Sequence, residues 1–207
     1  MRKPTPKFIY FDLGNVLLFF SHELACENVA KLTGLTADTV RQVVFDSGLA
    51  WGYEDGTQSE EEFHQRFCDA TARKPQLKEF IYAYSDIFTL NEPMVGLVQR
   101  LSDDGARLGI LSNTSPGHWH LVTDGRYPFL CTEFFEVFGL SFELGCLKPK
   151  PEIYVKAAKL AGVDPHEIFF TDDRQDHVVA AQSAGFDAVQ FVDYGQLMGE
   201  LKSRSVA

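Results

Sequence analysis

Short apolar runs alternate with amphipathic stretches along most of this chain. Lys7–Phe11 (KFIYF), Leu108–Leu111 (LGIL), Val137–Leu140 (VFGL), Ile168–Phe170 (IFF) and Ala188–Val192 (AVQFV) read as buried strands. Between them the period changes to that of a helix. Met94, Leu97, Val98 and Leu101 share one helix face, and Gly105 can end that helix. Ile153, Ala157 and Leu160 share another, with Gly162 as the stop, and Asp176–Ala184 precedes Gly185 in the same way. Strands alternating with helices predict a three-layer α/β fold, a parallel sheet covered on both faces.

Residues 16–91 break this alternation and show no strand pattern. Helices are predicted over Glu23–Leu32, Asp38–Phe45, Glu60–Cys68 and Gln76–Phe88. Thr36 and Ser59 are N-cap residues in this reading, and Ser59 with Glu62 fits a capping box. The chain therefore divides into a core of residues 1–15 and 92–207 and an all-helical cap of residues 16–91, inserted after the first strand. Such an insert belongs over the carboxyl end of the sheet, where open α/β folds bind ligands.

Composition narrows the classes. A chain of 207 residues, 45% hydrophobic, suits one large domain or a core plus a small insert. The net charge of −10 and the lack of a long basic run argue against a nucleic-acid surface. Cys26, Cys68, Cys131 and Cys146 are scattered without a C-x-x-C pair, which implies reduced, cytoplasmic usage. The basic MRKPTPK leads into FIYFDLGNVLLFF, but Asp12 and Asn15 interrupt that run and no small-residue cleavage site follows, so a signal peptide is rejected. No stretch is apolar enough over sufficient length to span a bilayer. A monomer or weak homodimer is expected.

Polar clusters end the strands. Asp12 closes the first, Ser112 and Asn113 the second (LGILSNTS), Lys148 follows the third (LGCLKPKPEIY), and Asp172 and Asp173 close the fourth (IFFTDD). Singly, each has a bland reading as a turn, a cap or a surface residue. Together they complement one another, and strand ends on one edge of a parallel sheet converge. The carboxylates form a hard oxygen site suited to Mg²⁺. A lysine and a hydroxyl can hold phosphoryl oxygens, and one carboxylate remains to attack phosphorus. In GHWH (Gly117–His120), two histidines without further ligands make a poor zinc site, so His118 or Trp119 is weighed instead as facing the substrate. In AWGYEDGTQS (Ala50–Ser59), Trp51, Tyr53 and Glu54 suit a sugar pocket and equally suit cap core and surface.

The chain resembles the haloacid dehalogenase-like hydrolases. FDLGNVL is similar to their first motif, ILSNTS to the second, LKP to the third and FFTDDRQDHVVAAQSAG to the fourth. Within them it looks most like sugar-1-phosphate phosphatases and the phosphatase domain of soluble epoxide hydrolases. The resemblance implies a Mg²⁺-dependent phosphatase acting on a small phosphorylated metabolite through a phosphoaspartyl intermediate on Asp12. It also implies a sheet order of 5-4-1-2-3, counting core strands along the chain. By position, Asp12 is nucleophile and metal ligand, the Gly14 carbonyl and Asp173 are further ligands, and Asp172 is accessory. Ser112 and Asn113 bind phosphoryl oxygens, and Lys148 bridges phosphate and Asp12. A metal-independent dehalogenase, a receiver domain and a degenerate binding member are the rivals.

Two positions depart from the family pattern. Gly14 stands where a second aspartate usually serves as general acid and base, and His177 stands where an aspartate is frequent. Without an acid at Gly14, either another group such as Glu54 or His118 gives the leaving oxygen its proton, or the substrate is an activated ester such as a sugar 1-phosphate.

Overall fold

The computed structural model describes residues 3–206. The strands are β1 Phe8–Phe11, β2 Leu18–Phe20, β3 Phe88–Leu90, β4 Leu108–Ser112, β5 Val137–Leu140, β6 Ile168–Asp172 and β7 Asp187–Gln190. Five of them form a parallel sheet in the order β5-β4-β1-β6-β7, with β1 held between β4 and β6. Counted along the chain as core strands, this is the expected 5-4-1-2-3 order read from the opposite edge.

Successive residues of a strand point to opposite faces, and β1 shows what this does. Ile9 and Phe11 join one buried cluster with Leu97, Leu101, Leu197 and Leu201. Phe8 and Tyr10 join another with Ile153, Ala157, Val178 and Ala181. Apolar residues on both faces let helices cover both sides. After β1 the helices are α1 His22–Thr33, α2 Ala37–Arg41, α3 Leu49–Glu54, α4 Glu60–Thr71 and α5 Leu77–Ser85. Then follow α6 Glu92–Asp103, α7 Pro116–Val122, α8 Ser141–Leu144, α9 Pro151–Ala161, α10 Gln175–Ser183 and α11 Tyr194–Ser203. No helix among the described residues is long and apolar enough to cross a membrane.

α1 to α5 pack around their own cluster, which includes Val29, Val44, Tyr53, Phe63, Phe67, Phe80 and Tyr84. Ser21, Thr36 and Ser59 cap α1, α2 and α4, and Ser59 with Glu62 forms a full capping box.

The sequence reading needs three corrections. First, the ends of segment 16–91 are not helical: β2 and β3 pair antiparallel, Leu18 opposite Leu90 and Phe20 opposite Phe88. Strands of three residues are too short to display a period, and Phe88 had been absorbed into the helix before it. Second, α3 lies where a connection between helices was expected. It is one and a half turns long, follows left-handed Gly48 and contains Gly52, so it carries little helical signal. Third, Leu160 is exposed. The buried stripe of α9 is centred on Tyr154, Ala157, Ala158 and Ala161, and Leu160 falls roughly a quarter-turn from that centre.

Candidate active site

The carboxyl ends of β1, β4 and β6 bring the expected residues together. Asp12 follows β1, Ser112 ends β4, Asp172 ends β6, and Lys148 reaches in from the loop after α8. Lys148 Nζ lies 2.9 Å from Asp12 Oδ1 and 2.6 Å from Asp172 Oδ2, and donates to the Leu111 carbonyl at 2.9 Å. The three donor directions of the ammonium are thus filled, as its complete burial requires. Asp12 Oδ1 also accepts the Leu13 N–H at 2.7 Å, which leaves Oδ2 toward the pocket.

Asp172 is enclosed. Besides Lys148 it takes the Arg174 N–H at 2.9 Å, and His177 Nδ1 lies 3.1 Å from each of its oxygens. Burial opposes its charge, but Lys148 and His177 outweigh burial and hold its carboxyl well below the ordinary range. Burial likewise works against the Lys148 ammonium, yet Asp12 and Asp172 raise it. Asp12 shows the opposite balance. Burial pushes it up to about 7, Lys148 pulls it down, and Asp172 and Asp173 add to the upward push. Three carboxylates face one ammonium here, so the centre is short of positive charge.

The residues that fit a cation are those left open. Asp12 is one. Asp173 lines the pocket and uses Oδ2 for a 2.9 Å bond from Asn15 Nδ2, so Oδ1 stays open. The Gly14 carbonyl is the third: Leu13 and Asn15 make the backbone bridge to Leu18 on either side of it. This all-oxygen set suits Mg²⁺, which prefers oxygen donors and keeps several waters. Asp12, Asp172 and His177 also place three ligand atoms within 4.8 Å of one another. Lys148 already fills that gap with its own charge, so we read the trio as an ion-pair network that positions Asp12.

Ser112 is buried in the pocket wall, and its hydroxyl has only a long 3.4 Å contact to the Asn113 carbonyl. Asn113 lines the pocket beside it. Its side-chain amide donates to the Lys148 carbonyl at 2.9 Å and accepts the Lys148 N–H at 2.7 Å. This pair of bonds fixes the loop that presents Lys148.

Above this floor is a pocket of about 440 Å³. Phe20, His22, Phe45, Ala50, Trp51, Glu54, Ile87 and Phe88 form its roof, and Thr114, His118 and Lys150 its far wall. Trp51 and Glu54 therefore face the site as expected. Tyr53 does not: it is fully buried and stacked 4.7 Å from Phe63. Its hydroxyl accepts the Gly117 N–H at 2.9 Å and donates to Glu60 at 3.0 Å, so it ties α3 to the start of α7. Trp119 packs on Phe138, while His118 lies between Tyr84 and Phe88 with Nε2 unpartnered. Burial and nearby His22 depress His118 to about 3. Sequence reasoning missed Phe20, His22, Phe45, Phe88 and Thr114. None carries a motif signal beyond Thr114 lying inside LSNTS.

Gly14 explains the place of Phe20. A Cβ built on Gly14 would lie 2.7 Å from the Phe20 ring. The space a side chain at position 14 would need is occupied by an aromatic ring from β2.

Comparison with known proteins agrees with the geometry. Residues 6–185 match the family of haloacid dehalogenase-like hydrolases. A D-ribitol-5-phosphate phosphatase from Bacteroides thetaiotaomicron is 27% identical over 192 residues, covering 89% of this chain and 91% of that protein. A haloacid dehalogenase-family enzyme of the same organism, crystallised with magnesium and inorganic phosphate, superposes with a TM-score of 0.81 at 26% identity, over 93% of this chain and 98% of that one. An L-2-haloacid dehalogenase from Xanthobacter autotrophicus shares the fold at 18% identity, with a TM-score of 0.64 over 98% of this chain and 85% of that one. The chain belongs to the haloacid dehalogenase-like hydrolase family.

Proposed function

We propose that this protein is a Mg²⁺-dependent phosphatase that hydrolyses a small phosphorylated polyhydroxy metabolite through an aspartyl phosphate on Asp12. The observation that carries this reading is the buried contact of Lys148 with both Asp12 and Asp172, which aims the free Oδ2 of Asp12 into a pocket also lined by Ser112 and Asp173. Asp12 Oδ2 attacks phosphorus in line with the leaving oxygen. The Ser112 hydroxyl stabilises charge on the phosphoryl oxygens, Lys148 holds Asp12 in place and offsets the gathering negative charge through space, and water then releases phosphate and regenerates Asp12. The Asp12 oxygen that does not attack, the Gly14 carbonyl and Asp173 would hold Mg²⁺, which would supply the positive charge that this centre lacks.

The polyhydroxy leaving group is supported by the upper pocket, where Glu54, Thr114 and Lys150 bring polar groups among the aromatic rings. A few polar groups in a mostly apolar wall suit hydroxyls on a small carbon chain. D-Ribitol 5-phosphate, for which the Bacteroides relative is named, has that chemistry. Segment 16–91 is the cap in this reading, its aromatic residues lying over the phosphoryl seat. The pocket is complete within one chain, which suits a monomer or weak homodimer, and the four free cysteines suit a cytoplasmic location.

The dehalogenase reading is weaker, because a halide displacement gives Asp173 no cation and leaves the acidic floor uncompensated. The test is turnover of a panel of sugar and polyol phosphates with and without Mg²⁺. Metal-dependent release of phosphate supports the reading, whereas metal-independent halide release from 2-haloacids would replace it.

A further inference from the structure

We infer that Glu54 is the proton donor to the leaving oxygen and the proton acceptor from the hydrolytic water. The inference deepens the phosphatase reading and rests on it. When Asp12 Oδ2 bonds to phosphorus, the P–O bond to the substrate breaks and its electron pair stays on the leaving oxygen. An alkoxide is too basic to leave unaided, so a proton must arrive in the same step. In the second half, water bonds to phosphorus, Asp12 leaves as a carboxylate, and the proton lost by water has to be taken up. Gly14 can do neither, and the Phe20 ring fills the space beside it.

Among the carboxylates and imidazoles that line the pocket, one is left for this task. Lys148 is locked between Asp12 and Asp172, and His177 faces Asp172. Asp173 is turned toward Asn15 and the cation site. His118 is depressed to about 3 and His22 is also lowered, both by burial first, so neither imidazole carries a proton to give at neutral pH. Glu54 lines the same pocket from the roof, opposite the strand ends. Among the described residues its carboxyl has no ion-pair or hydrogen-bond partner. Burial, with Asp55 next to it, pushes it up to about 7, where it can both give and take a proton.

Its position is also built. The Glu54 carbonyl accepts from Ser141 Oγ at 2.6 Å, and the same Oγ accepts the Thr114 N–H at 2.9 Å. Gly56, two residues on, approaches the Phe142 carbonyl so closely that a Cβ there would lie 2.2 Å from it. These contacts clamp the turn that carries Glu54 onto α8 and, through Ser141, onto Thr114 in the loop after β4, the strand that delivers Ser112. The backbone that presents Glu54 to the pocket is therefore fixed to the core.

Of the two alternatives that Gly14 leaves open in the sequence, this selects the proton donor over the activated ester. With Glu54 in that role, simple primary alcohol phosphates come within range beside sugar 1-phosphates.

The experiment compares wild type with Glu54→Gln on p-nitrophenyl phosphate and on alkyl phosphates of rising leaving-group pKa, by kcat/KM and by rapid-mix kinetics. In wild type kcat/KM should depend weakly on leaving-group pKa. Glu54→Gln should lose about 10²–10⁴-fold on alkyl esters and little on the first step with the aryl ester. The aryl ester should then give a burst of p-nitrophenolate in Glu54→Gln, because the aspartyl phosphate forms but is hydrolysed slowly. A far-UV CD spectrum and a melting curve like wild type identify Glu54→Gln as folded, and Glu54→Asp is the second variant if it is not. Equal losses on aryl and alkyl esters without a burst would overturn the inference. Absence of any phosphatase activity in wild type would instead overturn the reading beneath it.

Discussion

The floor and the roof of the pocket are built on opposite principles. On the floor, charges are buried and paired: Lys148 is completely buried and touches two carboxylates, and Asp172 has a partner on each oxygen. On the roof, aromatic rings surround a single carboxylate, Glu54, that has no partner among the described residues. A paired, over-determined network suits a phosphoryl group, which has the same shape in every substrate. An apolar wall with few polar groups suits a leaving group, which differs between substrates. The floor should therefore respond to mutation alike for all esters, and the roof should respond differently for each.

The largest effect belongs to Asp12. Asp12→Asn should abolish turnover of every ester, since an amide is a poor nucleophile and a weak Mg²⁺ ligand. Steady-state assays on aryl and alkyl phosphates check this; a variant retaining a substantial share of kcat on either would remove Asp12 from its role. Next is Ser112→Ala, expected to cost about 10²–10³-fold across the whole series if it resembles loss of one oxyanion donor. Lys148→Ala should be worse and also unstable, because it leaves Asp12 and Asp172 buried without a cation. Breaking such a pair typically costs about 3–5 kcal/mol. A loss at Ser112 confined to one ester class would blur the division between floor and roof.

The two adjacent aspartates sharpen the comparison within the floor. Asp173→Asn should shift the Mg²⁺ dependence of both activity and melting temperature to higher concentration. Asp172→Asn should lower the melting temperature in the absence of Mg²⁺, since its oxygens serve Lys148, His177 and the Arg174 N–H. Thermal melts across a Mg²⁺ titration separate the two; the reverse pattern would move the cation into the space between Asp12, Asp172 and His177.

Gly14 lies where floor and roof meet. Gly14→Asp alone meets the Phe20 ring at 2.7 Å, so it should misplace β2 and lose activity. Gly14→Asp with Phe20→Ala opens that space and should recover alkyl phosphate turnover, most clearly when Glu54 is Gln. If the single variant is fully active, Phe20 moves aside freely and the ring does not close the position.

This contrast also explains what was legible in the sequence. Asp12, Ser112 and the aspartate pair end apolar runs that are recognisable as strands, and a parallel sheet gathers its strand ends whatever the intervening chain does; Lys148, in the loop after α8, is legible through its LKP motif instead. The roof has no such rule. Phe20, Phe45 and Phe88 look like any core aromatic, and only the packing of α1 to α5 decides which ring faces inward. Tyr53 and Trp51 are two residues apart, yet one is fully buried and the other 65% exposed. The hold of the Asn113 amide on the Lys148 backbone is a task that no spacing reveals. The two-stranded ribbon escaped because three-residue strands carry no period.

The smallest expected effect is thermodynamic and needs no substrate. Glu54 is raised from an ordinary 4.5 to about 7 in the folded chain, chiefly by burial. Below about pH 4.5 the carboxyl is protonated in both folded and unfolded states and imposes no penalty. As pH rises from there to 7, the unfolded chain releases the proton and the folded chain resists doing so, so stability falls with pH. Above 7 the full penalty applies. Gln at this position is neutral throughout and escapes the cost. Glu54→Gln should therefore gain stability relative to wild type as pH rises from 5 to 7.5, and show little difference at pH 4.5. Allowing for the partial exposure of the group, the gain is on the order of 1–2 kcal/mol, a few degrees in melting temperature for a chain of this size. Asp55 on the same turn adds to the upward push on Glu54, so its repulsion is part of the cost that Gln removes, and Tyr84, raised chiefly by burial, stays neutral over this range. Paired melts of the two proteins across this pH range, in Mg²⁺-free buffer, read it directly. A difference that stays flat with pH would show that Glu54 ionises like a surface carboxylate, and the roof would then hold no proton to give.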